Sequence, residues 1–341
     1  MPTVWTIITR SVVACALGTA LLTACAGPQT VGSDLQARVD DRQVAIATEL
    51  LIEAARVGRT DMVELALSYE ADVDAGAPQT GRTALMMAAR GGYASIVDLL
   101  LVGGADVDAV DDQGWTALMH AAVRDRRAAL MPLLAAGADL SRQDAEHGYS
   151  ALMIAALSGN ANAIATLLNA GADPGGRSAD TGTTALILAA TGSSRDAPVA
   201  VAELLIRGAD VHQVRRDGFS AVMAAAAAGN TDVVRLLLDR GADPAARTRD
   251  GLDALGIAAA IGQPEAVEVL VETGVAVDRR QTAGQDTPLM LAATRGHADV
   301  VATLLRLGAD RQIRRPDGAT ADDLAQANGH AAIQALLQSG S

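Results

Sequence analysis

Five histidines (His120, His147, His212, His297 and His330), two cysteines (Cys15 and Cys25) and recurrent aspartates such as Asp106, Asp108, Asp111 and Asp112 could support catalysis or metal binding by their type. Their spacing supports neither. No two histidines stand at the i, i+4 separation that aims two imidazoles from one helical face at zinc, and no cysteine follows residue 25. The aspartates lack the alternating ligands, glycine and distal glutamate of a calcium loop, and their regular return predicts turns. Gly-x-Ser-x-Gly and Gly-x-Gly-x-x-Gly are absent. All 27 basic residues are arginine. Without a lysine amine, the phosphate loop ending in Gly-Lys-Ser/Thr, Schiff-base catalysis and the protein-kinase signature are excluded. The 40 acidic residues give a net charge of −13, and without a basic stripe this charge argues against nucleic acid, whose affinity comes from phosphate neutralisation. No catalytic residue, metal ligand or cofactor is assigned, and a binding role is expected in place of an enzymatic one.

Cys25 suggests a different chemistry. Arg10 precedes an apolar run from Ser11 to Thr23, which ends in Leu22-Thr23-Ala24-Cys25. The run is shorter than the roughly 20 apolar residues a bilayer requires, and it suits a secretory signal. An uncleaved helix from Thr3 to Ala26 would instead place Arg10 near mid-membrane, at a cost of roughly 2.5–3.5 kcal/mol. The four residues resemble the bacterial lipoprotein box. The resemblance implies a signal peptide over 1–24, cleavage before Cys25, a diacylglyceryl group on its thiol and acylation of the new N-terminus. Cys15 would leave with the signal, so the exported domain needs no disulfide. Ala26, where Asp would imply retention at the inner membrane, implies the outer membrane and a periplasmic position. The polar stretch to Gln43, with Gly27, Pro28, Gly32 and Ser33, predicts a flexible tether, so 25–43 reads as lipidated cysteine and linker.

The rest of the chain, 44–341, repeats itself. Gly81, Gly114, Gly148, Gly182, Gly218 and Gly251 open successive units at spacings of 33, 34, 34, 36 and 33 residues. Two residues after each stands Thr83, Thr116, Ser150, Thr184, Ser220 or Asp253, and Thr287 and Thr320 take that place in the last units. All are good N-caps, so each predicts the start of a helix. Ala-Ala pairs such as Ala121-Ala122 and Ala189-Ala190 let helices approach closely. Leu-Leu pairs fill the space between layers, and Gly-Ala-Asp, as at Gly137-Ala138-Asp139, ends the second helix in a left-handed glycine. Only 2% of residues are aromatic, so the core must be built from small aliphatic side chains.

Gly81-Arg82-Thr83-Ala84-Leu85, Ala88-Ala89, Val97, Leu99-Leu100-Leu101 and Gly104-Ala105-Asp106 resemble the ankyrin repeat, whose period is near 33. The resemblance implies an all-α solenoid of about nine helix-turn-helix units, divergent end caps included, with projecting β-turn fingers. It also implies a protein partner. The histidine usual near the first-helix start is replaced by Met86, Met119, Met153, Ile187, Met223 and Met290, so the hydrogen bonds it makes in the family are in question. Gly296-His297 and Gly329-His330 match the family's structural Gly-His. The unit after Gly182 is three residues longer, and Ser193-Ser194-Arg195-Asp196 is expected to carry the insertion as a loop.

In such repeats the concave face, made by turn tips and first helices, generally holds the ligand. The residues after the opening glycines, Arg82, Trp115, Tyr149, Thr183, Phe219 and Leu252, are expected there, although a ring in this place also packs on the next turn. Arg90, Val123, Arg124, Leu157 and Arg295, at the ends of first helices, would border the groove. The cluster of Arg124, Arg126 and Arg127 reads more simply as a solvated loop. The expected function is a monomeric, envelope-anchored module that captures, inhibits or shields a periplasmic or surface protein. A scaffold for envelope components is the alternative, and a secreted host-directed effector the third.

Overall fold

A computed structural model describes residues 31–192, 196–281 and 284–339, the first ten of them by backbone alone. Cys25, the signal segment and 193–195 of the expected insertion lie outside the described residues. The chain divides into two compact units, up to Glu146 and from His147 onward, and each is described by itself.

The first unit contains three helix pairs: α1 (Val31–Val57) with α2 (Thr60–Ser68), α3 (Ala84–Gly91) with α4 (Ala94–Val102), and α5 (Ala117–Ala122) with α6 (Arg127–Ala135). The second contains six: α7 (Ala151–Leu157) with α8 (Ala161–Asn169), α9 (Ala185–Ala190) with α10 (Ala197–Ile206), α11 (Ala221–Ala228) with α12 (Thr231–Asp239), α13 (Ala254–Ile261) with α14 (Pro264–Glu272), α15 (Pro288–Arg295) with α16 (Ala298–Arg306), and α17 (Ala321–Ala327) with α18 (Ala331–Gln338). Within each unit, first helices pack on first helices and second helices on second helices, giving two layers. No helix of the described residues is long and apolar enough to cross a membrane. The part of the expected tether from 31 to 43 is helical, because Ser33 to Val57 contains neither glycine nor proline and α1 propagates back from its packed half.

All eight expected caps accept a hydrogen bond from the backbone N–H three residues on, between 3.0 Å at Asp253 and 3.4 Å at Thr116. Three of the methionines at the expected histidine position make a bond of their own. The N–H groups of Thr83, Ser220 and Thr287 donate to the thioether sulfurs of Met86, Met223 and Met290 at 3.4–3.5 Å, so cap and methionine satisfy each other's amides. At the other end of a pair, Gly137 has φ +85° and lets Ala138 N–H reach back to Leu133 O at 3.1 Å. One leucine of each Leu-Leu pair is interior. Leu100, Leu133, Leu167, Leu204, Leu237 and Leu304 are fully buried, while their neighbours are half-buried, because successive residues point about 100° apart around a helix. The expected alanine pairs lie in the core, with Ala121, Ala122, Ala189 and Ala190 fully buried.

The aspartates form turns. Asp106, Asp139, Asp173, Asp210, Asp243 and Asp310 each accept the N–H two residues on. Asp74, Asp108 and Asp278 reach one repeat further and accept the N–H of Asp106, Asp139 and Asp310 at 2.8–3.2 Å. The carboxylates therefore also tie neighbouring fingers together. His297 and His330 do the same for the inter-helix loops. Their Nε2 atoms meet Ala260 O and Thr294 O of the preceding repeat at 3.0 and 3.2 Å, as Asn230 meets Gly192 O and Gln263 meets Ala227 O.

Candidate protein-binding face

Fingers are closed at the base by a backbone bond that straddles the opening glycine: Ala77 N–H to Arg82 O and Asp111 N–H to Trp115 O in the first unit; Ser178 to Thr183, Arg215 to Phe219 and Thr248 to Leu252 in the second. This closure holds the residue after the glycine at the junction of finger and first helix. Arg82 and Trp115 in the first unit, and Tyr149, Phe219 and Leu252 in the second, are all half-buried there. Thr183, expected on the same face, is instead buried, because its hydroxyl meets Thr181 Oγ1 at 2.6 Å and its N–H donates to Ser178 Oγ at 2.9 Å inside the finger.

In the first unit the finger base is built around a charge pair that sequence reading missed. Asp111 is buried, and its Oδ1 accepts the N–H groups of Gln113 and Trp115, both at 2.9 Å. Its Oδ2 faces His120 Nε2 at 2.9 Å and accepts from Arg82 Nε at 3.3 Å. Burial raises the Asp111 pKa, but the amide of Trp115, the imidazole of His120 and the amide of Gln113 together hold it below its ordinary value. An ionised carboxylate requires the donor tautomer at Nε2. His120 Nδ1 is then a bare lone pair, and among the described residues it has no partner. The imidazole is 1% exposed, and burial drives its pKa down to about 4 against the pull of Asp111, helped by the charges of Arg82 and Arg90. It is neutral at pH 7. Trp115 covers it, with ring centroids 5.3 Å apart. The available signal was positional, since His120 stands in a row otherwise aliphatic, with Met87, Ile154, Leu188, Ala224 and Ile257 at the equivalent places of other first helices.

Arg90 and Arg124 stand at the opposite, C-terminal ends of the first helices. Arg90 lies in the last turn of α3, and Arg124 lies just past α5, before Asp125, whose φ of +54° does the work of the glycine found in other units. Burial holds the Arg90 pKa below the usual arginine value, followed by the charges of Arg124 and Arg82. The expected run of arginines is divided: the stem of Arg126 lies against Gly92, where an added Cβ would come within 2.9 Å of its Cδ, while Arg124 couples to Arg90. Val123 is half-buried beside them.

In the second unit the half-buried rings are also engaged. Tyr149 stacks on His147 at 5.1 Å, and the guanidinium of Arg215 lies 5.2 Å over Phe219. Leu157 is exposed at the end of α7, and Arg295 is exposed at the end of α15. The finger arginines point their donors into the backbone. Arg177 bonds Gly182 O and Val214 O, Arg247 bonds Gly251 O and Arg280 O, and Arg280 bonds Gln285 O and Arg314 O, all within 3.2 Å. A guanidinium can reach two carbonyls at once because its donors form a rigid fork.

The model for ankyrin repeats in three copies matches residues 51–144, 126–197, 194–281 and 255–341. This chain belongs to the ankyrin-repeat family. None of the curated proteins matches it. Ankyrin repeats are protein–protein interaction modules, and the partner class of this ankyrin chain is therefore protein. Among the described residues, no cluster of three or more His, Cys, Asp or Glu side chains could hold a metal ion.

Proposed function

We propose that this ankyrin-repeat chain is a lipid-anchored module of a bacterial cell envelope, held through Cys25 at the outer membrane, that captures and inhibits or shields one envelope protein through its finger bases and first helices. The anchor reading is supported by Leu22-Thr23-Ala24-Cys25 after the apolar run from Ser11. The binding reading rests on one observation: Arg82 and Trp115, and in the second unit Tyr149, Phe219 and Leu252, are neither core nor fully solvated. A large side chain already fixed by its neighbours loses little freedom on contact, and Trp, Tyr and Arg dominate binding hot spots.

Two experiments test this. Cys25→Ser should abolish acylation and leave uncut precursor or soluble protein; a processed Ser variant that still fractionates with membranes would sink the anchor. For the face, a partner recovered from envelope extracts is titrated against variants. Trp115→Ala and Phe219→Ala should each weaken binding by roughly 2 kcal/mol or more. Leu237→Ala, a fully buried core truncation, should instead cost roughly 2–5 kcal/mol of stability and leave the affinity of the folded protein unchanged. Parent-like binding by both ring variants refutes the face.

A further inference from the structure

We propose that Arg247, Arg280 and Arg314, a row along the fingers of the second unit, hold an acidic segment of the partner protein in the polyproline II conformation, with one carboxylate at every third residue. The inference rests on the protein-binding reading above and adds the chemistry of what is bound. The three arginines hold one structural place. Each stands directly before the residue whose N–H closes its finger, Thr248 onto Leu252, Gln281 onto Asp286 and Arg315 onto Ala319. Their guanidinium groups are joined in series. Arg247 donates from Nη1 to Gly251 O of its own finger at 2.8 Å and from Nη2 to the carbonyl of Arg280 at 2.7 Å, 33 residues on. Arg280 repeats the fork one finger later, with Gln285 O at 2.9 Å and the carbonyl of Arg314 at 3.2 Å, 34 residues on. Arg314 ends the row with a bond to Gly318 O at 2.8 Å. Arg177 makes the same fork onto Gly182 O and Val214 O, but Val214 then interrupts the row.

The charge is more than the fingers need. Gly76 and Val110 hold the same place in the first unit and Val214 in the second, and their fingers close by the same backbone bond. Neighbouring repeats are also tied by the neutral amides of Asn230 and Gln263. The carbonyls that hold the three guanidinium groups orient them without neutralising them. Among the described residues, none of the three has a carboxylate within ion-pairing distance, whereas Arg279 and Arg315 beside them pair with Asp253 and Asp286. Asp323 feels the charge of Arg314, but it is taken by the amide and hydroxyl of Thr320. All three arginines are exposed. They are fixed cations, one per repeat, on a chain of net charge −13.

The spacing selects the ligand. Neighbouring helices pack about 8–10 Å apart, so one positive charge recurs at about that interval along the row. A polyproline II chain turns once in three residues at a rise of about 3.1 Å each, so every third side chain returns to one face after about 9 Å. A β-strand does not match, because residues three apart point to opposite faces. An α-helix returns a side chain to one face after seven residues and about 10 Å, but its carbonyls are spent on its own N–H groups. A polyproline II chain leaves its carbonyls free. Each guanidinium has five N–H donors, and those beyond the fork serve a carboxylate and such a carbonyl together. A segment that already holds this conformation, like arginines already held by the fingers, loses little freedom on binding.

The test titrates the full chain with a fluorescent peptide repeating Glu-Pro-Pro, beside one repeating Gln-Pro-Pro and one of the first composition with its glutamates consecutive. The first should bind most tightly, and its binding should weaken from about 0.1 M to about 1 M salt, as the screening length falls from about 10 Å to about 3 Å. Arg280→Gln and Arg314→Gln should each weaken it about tenfold, the loss of one charge-assisted contact. Arg314→Gln removes only a bond within its own finger, so it should melt like the parent even if Arg280→Gln, which cuts a tie between fingers, does not. Arg240→Gln, an exposed arginine of the second unit outside the row, should bind like the parent. Equal binding of the glutamine peptide removes the charge from the inference, and equal binding of the consecutive-glutamate peptide removes the spacing; either overturns it. So does parent-like binding by Arg314→Gln, or tighter binding of a helical peptide with glutamate at every seventh residue. The recovered envelope partner separates this inference from the reading it rests on. If Trp115→Ala and Phe219→Ala lose the partner while Arg314→Gln retains it, the row falls and the protein-binding face stands. If Arg314→Gln loses it while the ring variants retain it, the row stands and the face falls. If all of these variants retain it, both fall.

Discussion

His120 shows how one side chain sets a pH dependence. Its folded pKa of about 4 lies below the 6.5 of a solvated histidine, so between those values the unfolded chain binds more protons than the folded one. The stability it contributes is fully present above about pH 6.5 and is lost as pH falls towards 4, at about 1.4 kcal/mol per unit. Asp111, whose pKa is also lowered, adds a loss only at lower pH, where carboxylates take up protons. His120→Leu, which installs the residue carried at Leu188, should flatten the dependence between pH 6.5 and 4. At neutral pH it should cost the Asp111 hydrogen bond. Urea midpoints at pH 7 and pH 5 for parent and variant check this, and parallel losses in both would show that His120 is not the titrating group. Trp115 belongs to the same argument. Because it covers His120, Trp115→Ala should also raise the pH-7 affinity of that imidazole for a proton.

At the scale of the element, α13 departs from the methionine pattern and the next finger compensates. The first helices α3, α5, α7, α9, α11 and α15 carry Met or Ile at the third helical position, but α13 has Gly256 there. The fully buried Gln281 of the next finger fills the space: its Oε1 accepts Asp253 N–H at 2.9 Å, and a Cβ on Gly256 would come within 2.6 Å of that oxygen. The Met sulfur that serves Thr83 and Ser220 is thus replaced by an amide oxygen from one repeat further on. Gly256→Met should destabilise by about 1–3 kcal/mol through overpacking and displacement of Gln281. Gln281→Ala should cost about as much by orphaning the Asp253 amide. Combined, they should cost less than their sum, because the methionine then occupies the vacated space and offers its sulfur. Additive losses in thermal unfolding would refute the exchange. Asp253 also pairs with Arg279 at 3.1 Å, off the line of a hydrogen bond, so its cap bond to Gly256 N–H carries the directional contact.

At the scale of the molecule, every pair buries its apolar face only against its neighbours, so the end pairs protect those inside them. The last pair, α17 and α18, buries Ala321, Ala325, Ile333 and Leu337 against α15 and α16. Its outer positions are polar, with Asp322, Asp323, Gln326, Asn328 and Gln334. Ending the chain before Pro316 removes none of the proposed binding residues but uncovers the layer around Leu304, which is fully buried in the whole protein. The truncated protein should bind more hydrophobic dye, lose solubility and unfold at lower urea. An unchanged midpoint and dye signal would mean that the last pair is not a cap.

The repeat, the caps and the turn glycines were determined by the sequence alone, because they depend on local chemistry. A Thr, Ser or Asp at an N-cap, a glycine with positive φ and an Asx turn are each decided within a few residues, and the period of about 33 makes each visible several times. The helix over 31–43 was not legible, since its polar composition reads as linker unless α1 is known to pack further along. What only the tertiary structure decided spans neighbouring repeats. Arg82 is 29 residues from Asp111, and Asp253 is 28 from Gln281, each about one period apart. Residues a period apart become neighbours only when the repeats stack. Stacking brings Arg82 of one repeat onto the buried Asp111 of the next, which His120 meets from only nine residues further along the chain. The character of a partner-binding surface depends on such meetings, and a repeat read one unit at a time does not contain them.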